Sequence, residues 1–531
     1  MKQYLNQHRL FLLVLFVSVV GCYKGMGQSN PSWKNILDFG ATAEKEVVST
    51  KFIQAAIDSC YHQGGGTVYF PPGDYLSGTL ILKDYVTLHL ESGATLWASR
   101  NIDHYKAPLI DAIKPMLLYA NGAKNIAIEG GGTIHVQAER VYEDLRNTDR
   151  FIKEETENAR KAGVEMKQYY HVPPAVGLLT FADCENIKVE DVALIESSFW
   201  CLHIIRSRHI FIRGVSIRSS LEAGINSDGI DINSCQDVVI SDCLISTGDD
   251  AIVMKSWYDQ PCENITVSNC VLESSSTALK LGTETKGDMR HIVFNNCAIR
   301  NSNRGLSIVM RDGGTVEDVV FSNITIECSR RHFNWWGNGD PIWIYLTKRY
   351  PNSKVGTIRN VVFDNVIARG MGTSKIESTE GKNIHNIRLK NVQLHMEAES
   401  KPDKRADHGF YTNGVVGLRM VGCRITWDQE KTEPKWASAV FLENTDEVLI
   451  DGLEAVPGQK DPAYPVVNLQ SVTQAIIRNC RALEEVGLFV KVEGKESALI
   501  QLENNNPFQK AKSLLRIGSD VQQPNSIQTK P

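Results

Sequence analysis

Four aspartates lie within two short segments of this chain, and their spacing is the first sign of chemistry. The segment NSDGIDINS contains Asp228 and Asp231, and TGDDAIVMKS contains Asp249 and Asp250. A single Asp before Gly is most often a turn residue. However, no Gly follows the pair Asp249 and Asp250, and carboxylates packed together repel each other. Such a cost is typical of acid/base catalysis, and a Ca²⁺ site is the alternative because hard oxygen ligands suit that ion.

A repeat of about 27 residues must position these segments. Cys243, Cys270 and Cys297 recur at intervals of 27 residues inside the similar phrases DVVISDCLI, NITVSNCVL and HIVFNNCAI. Each phrase is a short alternating strand, a bend at Asn or Asp and a second short strand, so one unit cannot bury its apolar side alone. Stacked units of this length predict an all-β fold, a single-stranded right-handed parallel β-helix. The cysteines then form a ladder of small buried side chains, and disulfide pairing among the others stays open.

The ends of the chain differ from the repeats in composition. Residues 1–27 place a few basic groups before a short apolar run and predict an export signal. The run ends in Val-Val-Gly-Cys, so we expect a lipid anchor at Cys22, with ordinary cleavage near Gly27 as the alternative. The protein is then expected in the periplasm, at the outer membrane as a lipoprotein, or secreted.

The repeats define one long catalytic domain. We predict the parallel β-helix over residues 34–505 and a polar tail over residues 506–531. A helix that begins after Ser49, with apolar residues on one face, is expected to cap the open end of the first coil. Two segments interrupt the repeats: residues 137–173 are charged and helix-like, and the segment around NWWGNGDPIW is aromatic and irregular.

Alignment of the coils collects polar side chains on one outward face. Strands in neighbouring coils are about 4.8 Å apart, so Asp228 and Asp250 are predicted to lie close enough to repel each other. Indoles beside a cleft often stack on sugar rings, although packing of the loop is the alternative for Trp335 and Trp336. The predicted substrate-binding side chains are Asn226, Asp231, Lys255, Lys280, Arg304, Arg311, Trp200, Trp335 and Trp336.

These motifs resemble glycoside hydrolase family 28, the polygalacturonases and rhamnogalacturonases. The similarity includes NSDGIDI, TGDDAIVMKS, DFGA, GGGTVYFPPGDY and SFWCLHI, and it covers nearly the whole chain. It implies a pectin-lyase-like β-helix and an inverting, metal-independent hydrolysis. By resemblance, Asp249 is the general acid, and Asp228 and Asp250 activate water. Inversion of this kind needs acid and base carboxyls about 6.5–9.5 Å apart.

The chain departs from the family pattern at two places. Ser276-Thr277-Ala278 replaces the family's G-H-G, and Ser307-Ile308-Val309 replaces its R-I-K, so the expected His and the basic pair for galacturonate are missing. Lys280, Arg304 and Arg311, which is predicted to stack on Glu284, are candidate substitutes.

The net charge of the chain argues against a nucleic-acid partner. With 57 basic against 62 acidic residues, the chain lacks the basic footprint of nucleic-acid binding. From the resemblance we expect a monomeric, cofactor-free glycosidase that acts on pectin-like, acidic or branched polysaccharide or oligosaccharide. The alternatives are a Ca²⁺-dependent enzyme similar to pectate lyases, and a β-helical carbohydrate-binding protein without activity.

Overall fold

The structure is a stack of parallel strands wound into one long coil. The computed structural model describes residues 32–106, 114–138, 143–144, 156–157, 159–163, 170–171, 176–330, 337–401, 404–459, 461, 463–506 and 508–530. In this part of the chain every strand pairs in parallel with a strand of a neighbouring coil, except for one antiparallel pair, Glu143–Asp144 with Tyr170–His171. Successive parallel strands are joined by right-handed crossovers. The predicted right-handed parallel β-helix is confirmed.

Each coil contributes strands to three rows, and the third row carries the candidate site. The first row comprises Trp33–Asn35, Gly66–Phe70, Val86–Leu90, Lys124–Glu129, Glu185–Glu190, Arg208–Arg213, Gln236–Ser241, Cys262–Ser268, Met289–Asn295, Thr315–Cys328, Thr357–Gly370, Ile384–Met396, Val415–Val421, Asp446–Asp451, Thr473–Arg478, Ala498–Glu503 and Ile527–Lys530. The second row comprises Gly73–Ser77, Ala94–Ala98, Thr133–His135, Ala193–Ile195, Ser216–Arg218, Leu244–Thr247, Val271–Ser274, Ala298–Ser302, Arg424–Trp427, Glu454–Ala455 and Arg481–Ala482, together with the second halves of three long first-row strands. The third row comprises Leu80–Ile81, Met116–Asn121, Gly177–Ala182, Leu202–Ile205, Ile230–Asn233, Ile252–Ser256, Thr277–Thr285, Arg304–Met310, Asp340–Leu346, Ser374–Ser378, Phe410–Asn413, Val440–Glu443, Pro465–Gln470, Val486–Glu493 and Ala511–Ile517.

Identical positions of successive coils stack to form the core. Ile230, Ile252, Leu279, Leu306 and Ile342 are Cα partners from coil to coil, and all are buried. Because side chains alternate across a strand, the residues between them point outward. One face of the third row therefore fills the barrel, and the other face is left for polar groups.

Aromatic and cysteine ladders complete the interior. The rings of Phe294 and Phe321 stack with centroids 4.8 Å apart, and Phe321 and Phe363 follow at 5.1 Å. All eleven cysteines that the structure describes are buried and free, including those of the 27-residue ladder. The interpretation of that ladder as a packing device is confirmed, and no bridge forms among these cysteines.

A helix, Thr50–His62, lies at the N-terminal end of the stack, as predicted. It packs against Gly66–Phe70 and Val86–Leu90 through its buried residues Ile53, Ala56, Ile57 and Cys60. Ser49 occupies the N-cap position, but its hydroxyl accepts a hydrogen bond from Thr42 N (3.3 Å) rather than capping the helix. The described residues also form three 3₁₀ helices, at Ile36–Phe39, Ile102–His104 and Pro524–Ser526.

The predicted polar tail after residue 505 is wrong. Ala511–Ile517 pairs with Val486–Glu493 in the third row, and Ile527–Lys530 pairs with Ala498–Glu503 in the first. Only Ala511 and Ile527 are buried in these two strands, so their sequences lack the alternation of the earlier repeats although their backbone continues the coils. The β-helix therefore extends almost to the last residue.

Several predictions fall on residues outside the described part of the chain. These are the export signal, Cys22, Trp335, Trp336 and most of the segment 137–173. Among the described residues, no helix combines the length and the apolar character needed to cross a membrane.

Candidate active site

Three aspartates converge on the outward face of the third row. Asp228 immediately precedes the strand Ile230–Asn233, and Asp249 and Asp250 precede its neighbour Ile252–Ser256. One carboxylate oxygen of each aspartate lies within 4.8 Å of those of the other two. Their exposed fractions are 2%, 6% and 2%, respectively. The predicted crowding of these carboxylates is therefore present, with one strand spacing between coils.

Asp250 is fixed by two side chains of the next coil. Lys280 Nζ donates to Asp250 Oδ2 at 2.5 Å, and Ser276 Oγ donates to Asp250 Oδ1 at 2.7 Å. The backbone N–H of Asp250 donates to Asp249 Oδ1 at 2.9 Å. Ser276 lies where the family pattern has the first Gly of G-H-G, and Lys280 points outward three residues beyond the position of the missing His. Both oxygens of Asp250 are thus engaged by a buried ion pair and a hydroxyl.

Lys255 joins three other carboxylates. Its Nζ lies 3.6 Å from Asp228 Oδ2, 3.5 Å from Asp231 Oδ1 and 3.4 Å from Glu284 Oε2. The same ammonium group lies 4.5 Å from the ring centroid of Trp200. A buried lysine with three acidic neighbours and an indole is held in one place, because each contact offsets part of its lost hydration.

Burial and mutual repulsion favour the protonated form of three carboxyls. Burial, and then the charges of Asp231 and Asp249, raise the pKa of Asp228 well above its usual range. Burial, and then the charge of Asp250, raise the pKa of Asp249 to about 6, against the opposing charge of Lys280. Burial raises the pKa of Asp231 to about 8, although Lys255 opposes this shift. The site therefore contains carboxyls that keep protons in the pH range in which ordinary aspartates lose them.

The pKa values of two neighbouring groups, Glu284 and His203, are lowered instead. Burial raises the pKa of Glu284, but nearby cations, with Lys255 foremost, outweigh burial and lower it to about 2. Burial, and then the charge of Lys255, lower the pKa of His203 to about 3. Glu284 is thus an anion, and His203 is a neutral ring that packs edge-on against Trp200, with centroids 4.8 Å apart.

The other predicted binding residues are placed differently. Asn226 is exposed in a turn with a φ of 58°. Arg304 does not point to open space: its Nε lies 3.1 Å from Asp340 Oδ2, and its guanidinium covers the ring of Trp343 at 3.6 Å. Lys280 and Arg304 therefore form ion pairs with Asp250 and Asp340, respectively. Their direct contact with substrate stays a prediction.

Glu284 pairs with Arg349 instead of the predicted Arg311. Arg349 Nη2 lies 3.5 Å from Glu284 Oε1, whereas the buried Nε of Arg311 has no hydrogen-bond partner. Arg349 follows the strand Asp340–Leu346, in a turn whose length the 27-residue register does not predict. Sequence reasoning also missed Trp257, which lies 5.2 Å from Trp200 and follows the strand that carries Lys255.

The three aspartates do not suit a Ca²⁺ ion in this environment. Ca²⁺ takes about six to eight oxygen ligands and favours ionised carboxylates. Here Lys255 and Lys280 already place ammonium groups beside Asp228 and Asp250. Positive charge is thus supplied by the chain itself.

Comparisons with known proteins identify the family of this chain. The family model described as glycosyl hydrolases family 28 matches residues 66–407. An exo-poly-alpha-D-galacturonosidase of Dickeya chrysanthemi is 27% identical over 42% of this chain and 42% of its own length. An exopolygalacturonase of Zea mays is 26% identical over 46% of this chain and 55% of its own length. The chain thus spans about half, or less, of these two relatives.

Solved structures show the same fold at low identity. The family 28 exopolygalacturonase of Yersinia enterocolitica has a TM-score of 0.61 and is 20% identical, with coverage of 80% of this chain and 79% of its own. The exopolygalacturonase of Thermotoga maritima has a TM-score of 0.54 and is 24% identical, with coverage of 79% and 92%. The family match extends over more than half of the chain and contains all three aspartates, so the chain belongs to glycosyl hydrolase family 28.

Proposed function

We propose that the protein is an exported glycosidase of the polygalacturonase type, which hydrolyses glycosidic bonds in pectin-like polysaccharide. Three buried carboxylates within 4.8 Å of one another, on the outward face of the barrel, carry this proposal. Family membership and relatives named as galacturonosidase and exopolygalacturonase support it. The lipid anchor at Cys22 and a monomeric state belong to the same proposal.

Asp249 is the proposed general acid. With a pKa of about 6, it can keep a proton in mildly acidic solution and give it to the leaving glycosidic oxygen. Asp250 is a better candidate than Asp249 for activating the attacking water. The ion pair with Lys280 and the hydrogen bond from Ser276 orient its carboxylate as a proton acceptor. Asp228, whose Oδ1 is buried without a hydrogen-bond partner, is proposed to hold the attacking water while Asp250 accepts its proton.

The spacing differs from the one expected for facing carboxyls. Separations of about 6.5–9.5 Å leave room for water between acid and base, whereas these oxygens lie within 4.8 Å because Asp249 and Asp250 are adjacent and Asp228 is one coil away. By this rule alone the spacing is closer to that of retaining enzymes. We keep inversion as the proposal because the family resemblance implies it, and we place the water beside Asp228 and Asp250. Proton NMR of the fresh reducing end tests this: retention of configuration would instead indicate a covalent intermediate.

One experiment tests both the hydrolytic activity and the role of Asp249. Wild type, Asp249→Asn and Asp237→Asn are incubated with polygalacturonan, rhamnogalacturonan and xylogalacturonan in the presence of a chelator. Asp237 is a matched control, since its carboxylate lies on the barrel exterior with 47% of its side chain exposed. We expect saturated sugars from wild type and Asp237→Asn only. Ultraviolet-absorbing products would indicate elimination, and binding without cleavage would leave a carbohydrate-binding protein.

A further inference from the structure

A groove opens at the C-terminal ends of third-row strands, whereas the three aspartates precede the starts of such strands. Its volume is about 640 Å³, within the range of about 300–1,000 Å³ that small-molecule sites occupy. Trp257, Glu284, Asp312 and Arg349 line it. These residues follow or end strands of successive coils, so the groove runs along the stack.

The groove is continuous with the candidate active site. Glu284 Oε2 lies 3.4 Å from Lys255 Nζ, and the same ammonium group lies 3.6 Å from Asp228 Oδ2. A single side chain therefore separates the groove from the carboxylates. A sugar unit in the groove would be a neighbour of the unit at the bond that breaks.

Five of the six charged side chains that line the groove are in ion pairs, and Lys354 is the sixth. Arg349 Nε lies 2.6 Å from Asp312 Oδ1, its Nη2 lies 2.8 Å from Asp312 Oδ2, and the same nitrogen donates to Thr283 O at 2.8 Å. Lys286 Nζ lies 3.2 Å from Asp259 Oδ1. The lining residues include three cations and three anions, so the groove has no net charge. A sugar carboxylate at Arg349 would have to separate an existing ion pair, whereas hydroxyl groups can donate to Asp312 or Glu284 and accept from Arg349 without breaking it.

One wall of the groove is an indole. Trp257 is half-buried, and its ring lies 5.2 Å from Trp200 and 5.9 Å from His203. Its backbone N–H donates to Asn233 Oδ1 at 3.1 Å, which fixes the residue after the strand. A fixed aromatic surface next to paired charges is suited to the apolar face of a sugar ring.

We propose that this groove is a subsite for an uncharged sugar, with a ring face against Trp257 and hydroxyl groups on Arg349 and its acidic partners. This proposal rests on the proposed glycosidase function and specifies its substrate. The preferred polymer carries a neutral sugar next to the acidic unit at the cleaved bond. An unbroken galacturonate chain would place a carboxylate in the groove and bind more weakly.

The experiment measures binding without turnover. In the full-length Asp249→Asn protein, calorimetry compares a tetramer of alternating rhamnose and galacturonate with a galacturonate tetramer. We expect the alternating tetramer to bind at least tenfold more tightly, with little dependence on salt. Trp257→Leu, which keeps apolar bulk without the aromatic face, should cost the alternating tetramer about tenfold in affinity and should barely affect the other. Trp33→Leu, at an exposed indole near the N-terminus, is the control.

Each result has a defined meaning. Tighter, salt-sensitive binding of the galacturonate tetramer, no binding of either tetramer, or no effect of Trp257→Leu would overturn the subsite. Failure of wild type to cleave any polymer, together with the expected binding pattern, would refute the glycosidase and leave the subsite standing. A circular dichroism spectrum that matches wild type shows that the leucine variant is folded, and Trp257→Phe should restore most of the lost affinity.

Discussion

Removal of the Lys280 ammonium group should move the alkaline limb of the pH–rate profile to higher pH. If Asp249 is the general acid, kcat/KM falls as the pH rises through its pKa in the free enzyme, which is about 6. Lys280 lowers that pKa by its charge. Lys280→Met removes the charge but keeps most of the side-chain volume, so Asp249 should keep its proton to higher pH.

The structure sets the size of the shift. Lys280 Nζ lies 2.5 Å from Asp250 Oδ2, and oxygens of Asp250 and Asp249 lie within 4.8 Å. The ammonium is thus on the order of 6 Å from Asp249, where unit charges interact by about 3 kcal/mol at an effective dielectric constant of about 20. One pKa unit corresponds to about 1.4 kcal/mol. Because the Lys280 side chain is 13% exposed, we discount the full shift of about two units to about one.

The assay is the pH dependence of kcat/KM for wild type and three variants on the most active polymer. Lys280→Met should shift the alkaline limb up by about one unit and lower kcat about 100-fold, because Asp250 is no longer held in position. Lys280→Arg keeps the charge and should leave the limb near its original pH. Ser276→Ala removes one bond to Asp250 without changing the charge, so it should lower kcat with a smaller shift.

A limb that stays in place in Lys280→Met would refute the reasoning. It would mean either that Asp249 is not the group whose proton limits the rate, or that the Lys280 charge is neutralised before it reaches Asp249. A limb that moves to lower pH would contradict the sign of the electrostatic argument itself, since loss of a cation cannot favour the ionised carboxyl.

The remaining predictions concern stability and packing. The pKa of Asp231 is about 8 in the folded protein, above the usual value of 3.8. Its contribution to stability is therefore complete below pH 4 and is lost as the pH rises through 8. Asp231→Asn should flatten this decline with pH in the free energy of unfolding, measured by urea titration. Phe321→Ala, which interrupts the ring stack, should destabilise the protein by about 4 kcal/mol in the same assay. The eleven described cysteines are buried and free, so they should react with a thiol reagent only after unfolding, and fast reaction of the native protein would contradict the ladder.

Regular spacing made the barrel and its three aspartates predictable. The 27-residue register placed Lys280 and Ser307 in one outward row, and their strands pair as that alignment requires. The 27-residue alignment predicted wrong neighbours where the strand pairing shifts out of the repeat. A register shift follows Met254, so Lys255 is not opposite Gly282 as the alignment implied.

The residues that sequence reasoning missed lie in turns. Trp257 and Arg349 follow the ends of strands, where loop length varies from coil to coil and no periodic signal remains. The last strands were missed for another reason: alternation is the signal of a half-buried strand, and only Ala511 is buried in Ala511–Ile517. Arg311 has the predicted spacing from Glu284, but spacing along the coil does not determine which cation a long side chain reaches.

The division between strands and turns has an evolutionary consequence. The carboxylates stand at the starts of two third-row strands, whereas the groove walls are supplied at the other ends of those strands and their successors. An inserted loop at a strand end leaves the backbone pairing of the stack unchanged. Descendants of such a protein can therefore acquire new substrates by lengthening turns, while the apparatus for bond cleavage is inherited intact.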